Sequence, residues 1–72
     1  HAVNVEFTLK TNSQVNLQLY DELGKLVKRI KKDNYSIGNN KIQLEMGNYK
    51  SGIYFVSLNV DDKVFTRQII KK

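Results

Sequence analysis

The chain of 72 residues predicts an all-β fold, a sandwich or barrel of six to seven strands. Two observations carry this reading. Apolar and polar residues alternate at period two in several separate runs, the mark of half-buried strands. Between those runs, Asn, Asp, Ser and Gly gather into turn signals at spacings of roughly 8 to 12 residues, as in small sandwiches.

The first run is VNVEFTLK, with Val3, Val5, Phe7 and Leu9 on one phase and Asn4, Glu6, Thr8 and Lys10 on the other. Thr11-Asn12-Ser13 turns the chain. Val15, Leu17 and Leu19 then alternate with Asn16, Gln18 and Tyr20 in a second strand.

The segment DELGKLVKRIKKD admits two readings. Leu23, Leu26, Val27 and Ile30 fall on one helical stripe, which beside its lysines and arginine would make a basic amphipathic helix. Alternatively Asp21 opens a turn and Gly24 takes the left-handed position of a short hairpin loop. A glycine inside a helix costs about 1 kcal/mol relative to alanine, and the preceding strand needs a partner. The hairpin is the preferred reading.

Asp33 to Ser36 and Gly38 to Asn40 are rich in turn formers, with Tyr35 and Ile37 expected to pin that loop to the core. Ile42, Leu44 and Met46 mark another strand, and Tyr49 is expected to anchor the bend that follows. Ile53-Tyr54-Phe55-Val56 is apolar on both phases, as a central strand requires. Asp61-Asp62 forms a hairpin tip. The last strand holds Val64, Phe65, Ile69 and Ile70, and Phe7 and Phe65 are read as core.

Composition narrows the function classes. Hydrophobic residues are 40 % of the chain, with no cysteine and no proline, so one small core must supply the stability. No apolar run nears the roughly 18 residues of a helical membrane span. The start at His1-Ala2-Val3-Asn4 carries no signal-peptide pattern, and its abruptness reads as a piece cut from a longer protein.

Catalysis has little to draw on. His1 is the only histidine, so no serine or threonine has an imidazole to activate it. The seven acids sit in turns or on polar strand phases, and a chain this small is expected to lack a cleft that would desolvate a pair of them. Adjacent Asp61 and Asp62 lack the spaced oxygen ligands of a calcium loop. No metal, cofactor or catalytic residue is therefore expected. The net charge of +5 is concentrated in Lys25, Lys28, Arg29, Lys31 and Lys32, with Lys71 and Lys72 at the end. No strand shows outward aromatics interleaved with cations, so nucleic acid is not expected as a partner.

LYDELGKLV, NNKIQLEM, SGIYFVSL and FTRQIIKK, in this order, resemble the C-terminal sorting domain of the Bacteroidetes type IX secretion system. The likeness covers nearly the whole chain. Asp21 and Gly24 match that family's turn, Gly52, Ile53, Tyr54, Phe55 and Val56 its central block, and Ile69, Ile70 and Lys71 its terminal motif. Arg67 stands where lysine is common, Tyr49 where leucine is frequent, and Lys72 extends the usual ending. The Asn-Pro element that often opens the family is missing.

The resemblance implies an immunoglobulin-like antiparallel β-sandwich, with residues 1–72 forming one sorting domain of a larger secreted protein. Its partners would be an N-terminal cargo domain, the outer-membrane translocon or its shuttle, and a sortase-like peptidase. The cargo would travel through the periplasm to be released or held at the cell surface. Arg67, Ile69, Ile70, Lys71 and Lys72 are the expected recognition residues. One isoleucine would close the core while the other stands outward as an apolar knob, and the cations would orient the encounter. An exposed last strand also makes dimerisation through that edge an expectation. The competing class is a non-catalytic accessory or carbohydrate-binding module of a secreted hydrolase.

Overall fold

Alternation along the sequence becomes alternation in burial. The computed structural model describes residues 2–72, and His1, the only imidazole, lies outside them. Six strands follow one another: β1 Ala2–Leu9, β2 Ser13–Asp21, β3 Leu26–Tyr35, β4 Gly38–Glu45, β5 Gly52–Val60 and β6 Lys63–Lys71. All pairings are antiparallel. β1 and β4 form a sheet of two; the other four form a sheet ordered β3-β2-β5-β6. The result is a small β-sandwich at the lower strand count expected.

The core lies between the sheets. Val15, Leu17 and Leu19 of β2 are fully enclosed, and Leu44 and Met46 meet them from the smaller sheet's side of the chain. Burying each such leucine stabilises the fold by about 2 kcal/mol, which a domain without disulfides requires. β2 and β5 occupy the middle of the larger sheet. β5 is apolar on both phases: Tyr54, Val56 and Leu58 are buried, and Ile53 and Phe55 are half-buried on the other face, where equally central β2 carries Asn16 and Gln18.

The segment after β2 is a hairpin and not a helix. The Asp21 N–H donates to the Lys25 carbonyl (2.9 Å) and the Gly24 N–H to the Asp21 carbonyl (3.0 Å). The Asp21 carboxylate also accepts from the N–H groups of Leu23 and Lys25, both at 2.9 Å. Gly24 has φ +83°, a left-handed conformation that penalises a Cβ. A Cβ built there meets no atom within 4 Å, so the penalty is one of backbone alone. Gly24→Ala is therefore expected to lower stability by about 1 kcal/mol, and Gly24→Asn by less. Urea unfolding midpoints check both.

Three expectations need correction. Asp33 to Tyr35 and Gly38 to Asn40 are strand rather than loop, leaving Ser36 and Ile37 as the whole connection. Side chains hold it that tight: Asn12 Oδ1 accepts from the Ile37 N–H (2.8 Å), and Asn40 Nδ2 donates to the carbonyls of Ser36 (2.8 Å) and Gly38 (3.2 Å). Tyr35 does pack edge-on against Phe7, with ring centroids 5.5 Å apart, but Ile37 is 64 % exposed and pins nothing. Phe65 is not core either: it is 55 % exposed, because no strand of the smaller sheet covers that part of β6.

Candidate strand-docking site

Three sequence blocks that lie far apart along the chain meet at one end of the larger sheet. β2 and β5 pair so that Asp21 faces Tyr54 and Tyr20 faces Phe55. β5 and β6 pair so that Gly52 faces Lys71, Ile53 faces Ile70, Tyr54 faces Ile69 and Phe55 faces Gln68. The turn at Asp21 and Gly24, the block Gly52 to Val56 and the ending Arg67 to Lys71 are thus neighbours across strands.

The terminal pair of isoleucines resolves into two roles. Ile69 is buried against the core, beside Tyr54. Ile70 points the other way and is 61 % exposed. It stands with Ile53, Phe55 and Tyr20 on the outer face of the sheet, making an apolar strip that ends at the β6 edge. Sequence reasoning missed Ile53 and Phe55 as surface residues. The second apolar phase of β5 was the available signal.

Lys71 has a local role. Its ammonium donates to the carbonyls of Gly47 (3.3 Å) and Tyr49, in the loop between β4 and β5. The buried Tyr54 hydroxyl donates to the Lys50 carbonyl of the same loop at 2.7 Å, as an enclosed phenol requires. Tyr49 is half-buried, its ring 6.0 Å from that of Tyr54. The ending of β6 is therefore latched to the loop by Lys71, while Arg67 and Lys72 remain exposed. Lys71→Met should loosen the loop, speeding amide exchange over residues 47–51 and lowering stability by about 1 kcal/mol.

β6 is an edge, paired with β5 alone. Every second residue of such a strand turns its N–H and C=O away from its neighbour. The pairing runs through all nine residues of β6 with no register shift. The opposite edge, β3, contrasts with it. There two register shifts interrupt the ladder, and Lys28, Arg29, Lys31 and Lys32 are all exposed. Bulges and charge of this kind blunt an edge against unwanted pairing.

Among the described residues, no group of three or more His, Cys, Asp or Glu is placed to hold a metal ion. No described helix is long and apolar enough to cross a membrane.

Fold and site together define a small antiparallel sandwich that presents a regular, open strand edge beside an apolar strip. Residues 2–72 match the model of the secretion system C-terminal sorting domain, and the chain belongs to that family, the type IX sorting domains. Membership makes the chain a secretion sorting signal and indicates export through that system, into the medium or to the cell surface. No curated protein and no solved structure matches the chain significantly.

Proposed function

We propose that residues 1–72 are one sorting domain carried by a larger secreted cargo, and that the machinery reads it as a folded shape through β6. The outer-membrane translocon of the type IX system, or its shuttle, adds a strand of its own to the open edge. Ile70 fills an apolar pocket on that partner. Arg67 and Lys72 steer the approach by charge, and Lys71 holds the strand end in place for it. Ile69 acts from inside, fixing the phase that turns Ile70 outward. A sortase-like peptidase then separates cargo from domain, and the cargo is released or held at the surface. The domain itself performs no chemistry in this scheme.

One observation supports this reading above the others: the nine-residue edge has neither proline nor bulge, and its exposed isoleucine sits at the latched end. Natural sheets normally disrupt such an edge more fully; β6 carries the cations Lys63, Arg67 and Lys71 but keeps an unbroken ladder, unlike β3. Retention here fits strand addition, where backbone hydrogen bonds give affinity and a side-chain pocket gives specificity.

The same edge disfavours a dimer. Two copies of β6 paired antiparallel over their full length would set Arg67 against Arg67 and Lys63 against Lys71, and like charges directly opposite repel.

The test is a reporter fusion in a cell that carries the secretion system. The domain is expected to export the reporter from its C-terminal end and not from its N-terminal end. Equal export from either end would contradict a C-terminal signal, and no export from either end, with glycan binding kept at both, would favour the accessory-module reading.

A further inference from the structure

The two sheets are unequal, and the smaller one leaves a place empty beside β1. Ile42 and Leu44 of β4 are buried, yet the residues paired with them on β1, Val5 and Val3, are only half-buried. On the larger sheet, Phe65 shares the inner phase of buried Ile69 but stands open to solvent. One groove accounts for both. Its volume is about 720 Å³, it lies between β1, β5 and β6, and Val5, Phe7, Leu58, Phe65 and Ile69 line its apolar part.

The rims of this groove are strand edges. β1 pairs only with β4, and β6 only with β5. Unpaired backbone N–H and C=O groups along a rim are satisfied by another extended chain, and a lipid tail offers them nothing. A strand added to β1 would become the third of the smaller sheet and would cover Phe65.

Charge narrows the occupant further. Arg67 lies in the groove between Phe65 and Ile69 on the inner phase of β6. It makes no side-chain hydrogen bond or ion pair with another described residue. The acids Asp61 and Asp62 lie at the β5–β6 turn, at one end of the groove, where Lys10 and Lys63 also line it; Glu6 reaches its rim from the outer phase of β1, so Arg67 is the cation set between the apolar residues Phe65 and Ile69. A second copy of this chain fits poorly. The inner phase of β1 holds Val3, Val5, Phe7 and Leu9 with no acid, and β6 would bring another arginine.

We propose that the groove is the seat of an extended segment from a partner polypeptide, added to the free edge of β1, whose inward side chains are apolar except for a carboxylate facing Arg67. The partner is thus an acidic, apolar-alternating strand. This surface uses the edge of β1 and the inner face, whereas the sorting proposal turns on the edge of β6 and on Ile70 of the outer strip; Arg67 is the residue they share, so the two are told apart at Ile70 and at the β1 amides.

Two synthetic peptides of roughly nine residues, about one ordinary strand, test it. Both alternate valine with threonine; one carries glutamate at the central inward position and its twin carries lysine. Each is titrated into the ¹⁵N-labelled chain and followed by amide shifts. The glutamate peptide is expected to shift β1 amides together with Phe65 and Arg67, and to bind about fivefold tighter than its twin. Arg67→Glu should reverse that order. The proposal is overturned by equal affinities, by no binding, by shifts confined to the outer phase of β6, or by self-association of the chain that fills the groove first. If it is overturned while export still depends on Ile70, the sorting reading stands without the groove. If export ignores Ile70 while the peptide still seats, the groove stands without that reading.

Discussion

Ile70→Asp is expected to abolish export of a fused reporter while the domain stays folded. Ile70 projects from the outer face of an edge strand and has most of its surface in water, so the substitution leaves no cavity. Its folding cost is that of a poor strand former at an exposed site, about 1 kcal/mol at most. Docking is affected far more. A carboxylate forced into an apolar pocket must be desolvated without a partner, and burial of this kind costs several kcal/mol. A loss of that size reduces binding by more than about a hundredfold. Ile69→Asp serves as the contrast. It puts the same carboxylate into the core, so that variant should fail to fold at all. Circular dichroism and reporter secretion, read side by side, separate the two isoleucines.

The second large effect belongs to the core. Leu19→Ala should destabilise the domain by about 3 kcal/mol, the common outcome for an enclosed leucine. Leu19 is fully buried on β2 and faces Val56 of β5 across the ladder. Neither central strand can close the space without shifting its other neighbour. For a domain of this size, stability is only about 4 to 11 kcal/mol, and 3 kcal/mol lowers Tm by roughly 12 to 24 °C. Thermal melts monitored by circular dichroism check the figure. Export at a temperature above the new midpoint should fail, because a signal read as a folded shape has no unfolded equivalent.

Much of this architecture was legible in the residues. Alternation in VNVEFTLK and VNLQLY marks strands because one phase of each must face a core. Gly24 pointed to the hairpin because only glycine takes φ +83° without strain. The loop before β4 was misread for a nameable reason. Asp33, Asn34, Asn39 and Asn40 favour turns in isolation, but pairing with β2 and β1 holds them in strands. Phe65 was misread because hydrophobicity says that a ring prefers burial and says nothing of whether a strand is present to cover it. The latch at Lys71 was hidden for a similar reason. Its carbonyl acceptors lie more than twenty residues upstream, at Gly47 and Tyr49, and no local pattern marks them. The split between Ile69 and Ile70 was half legible: adjacent residues in a strand must face opposite ways, but only the register with β5 shows which one is inside.

The central claim is that the open edge and outer strip of β6 are what the secretion machinery touches. Site-specific photo-crosslinking during export tests it most directly. A photoreactive residue placed at position 70 is compared with one at position 37, where Ile37 is equally exposed but lies at the opposite end of the sandwich. The account predicts adducts with an outer-membrane component from position 70 and none from position 37. Adducts of equal yield from both positions, or from position 37 alone, would contradict it.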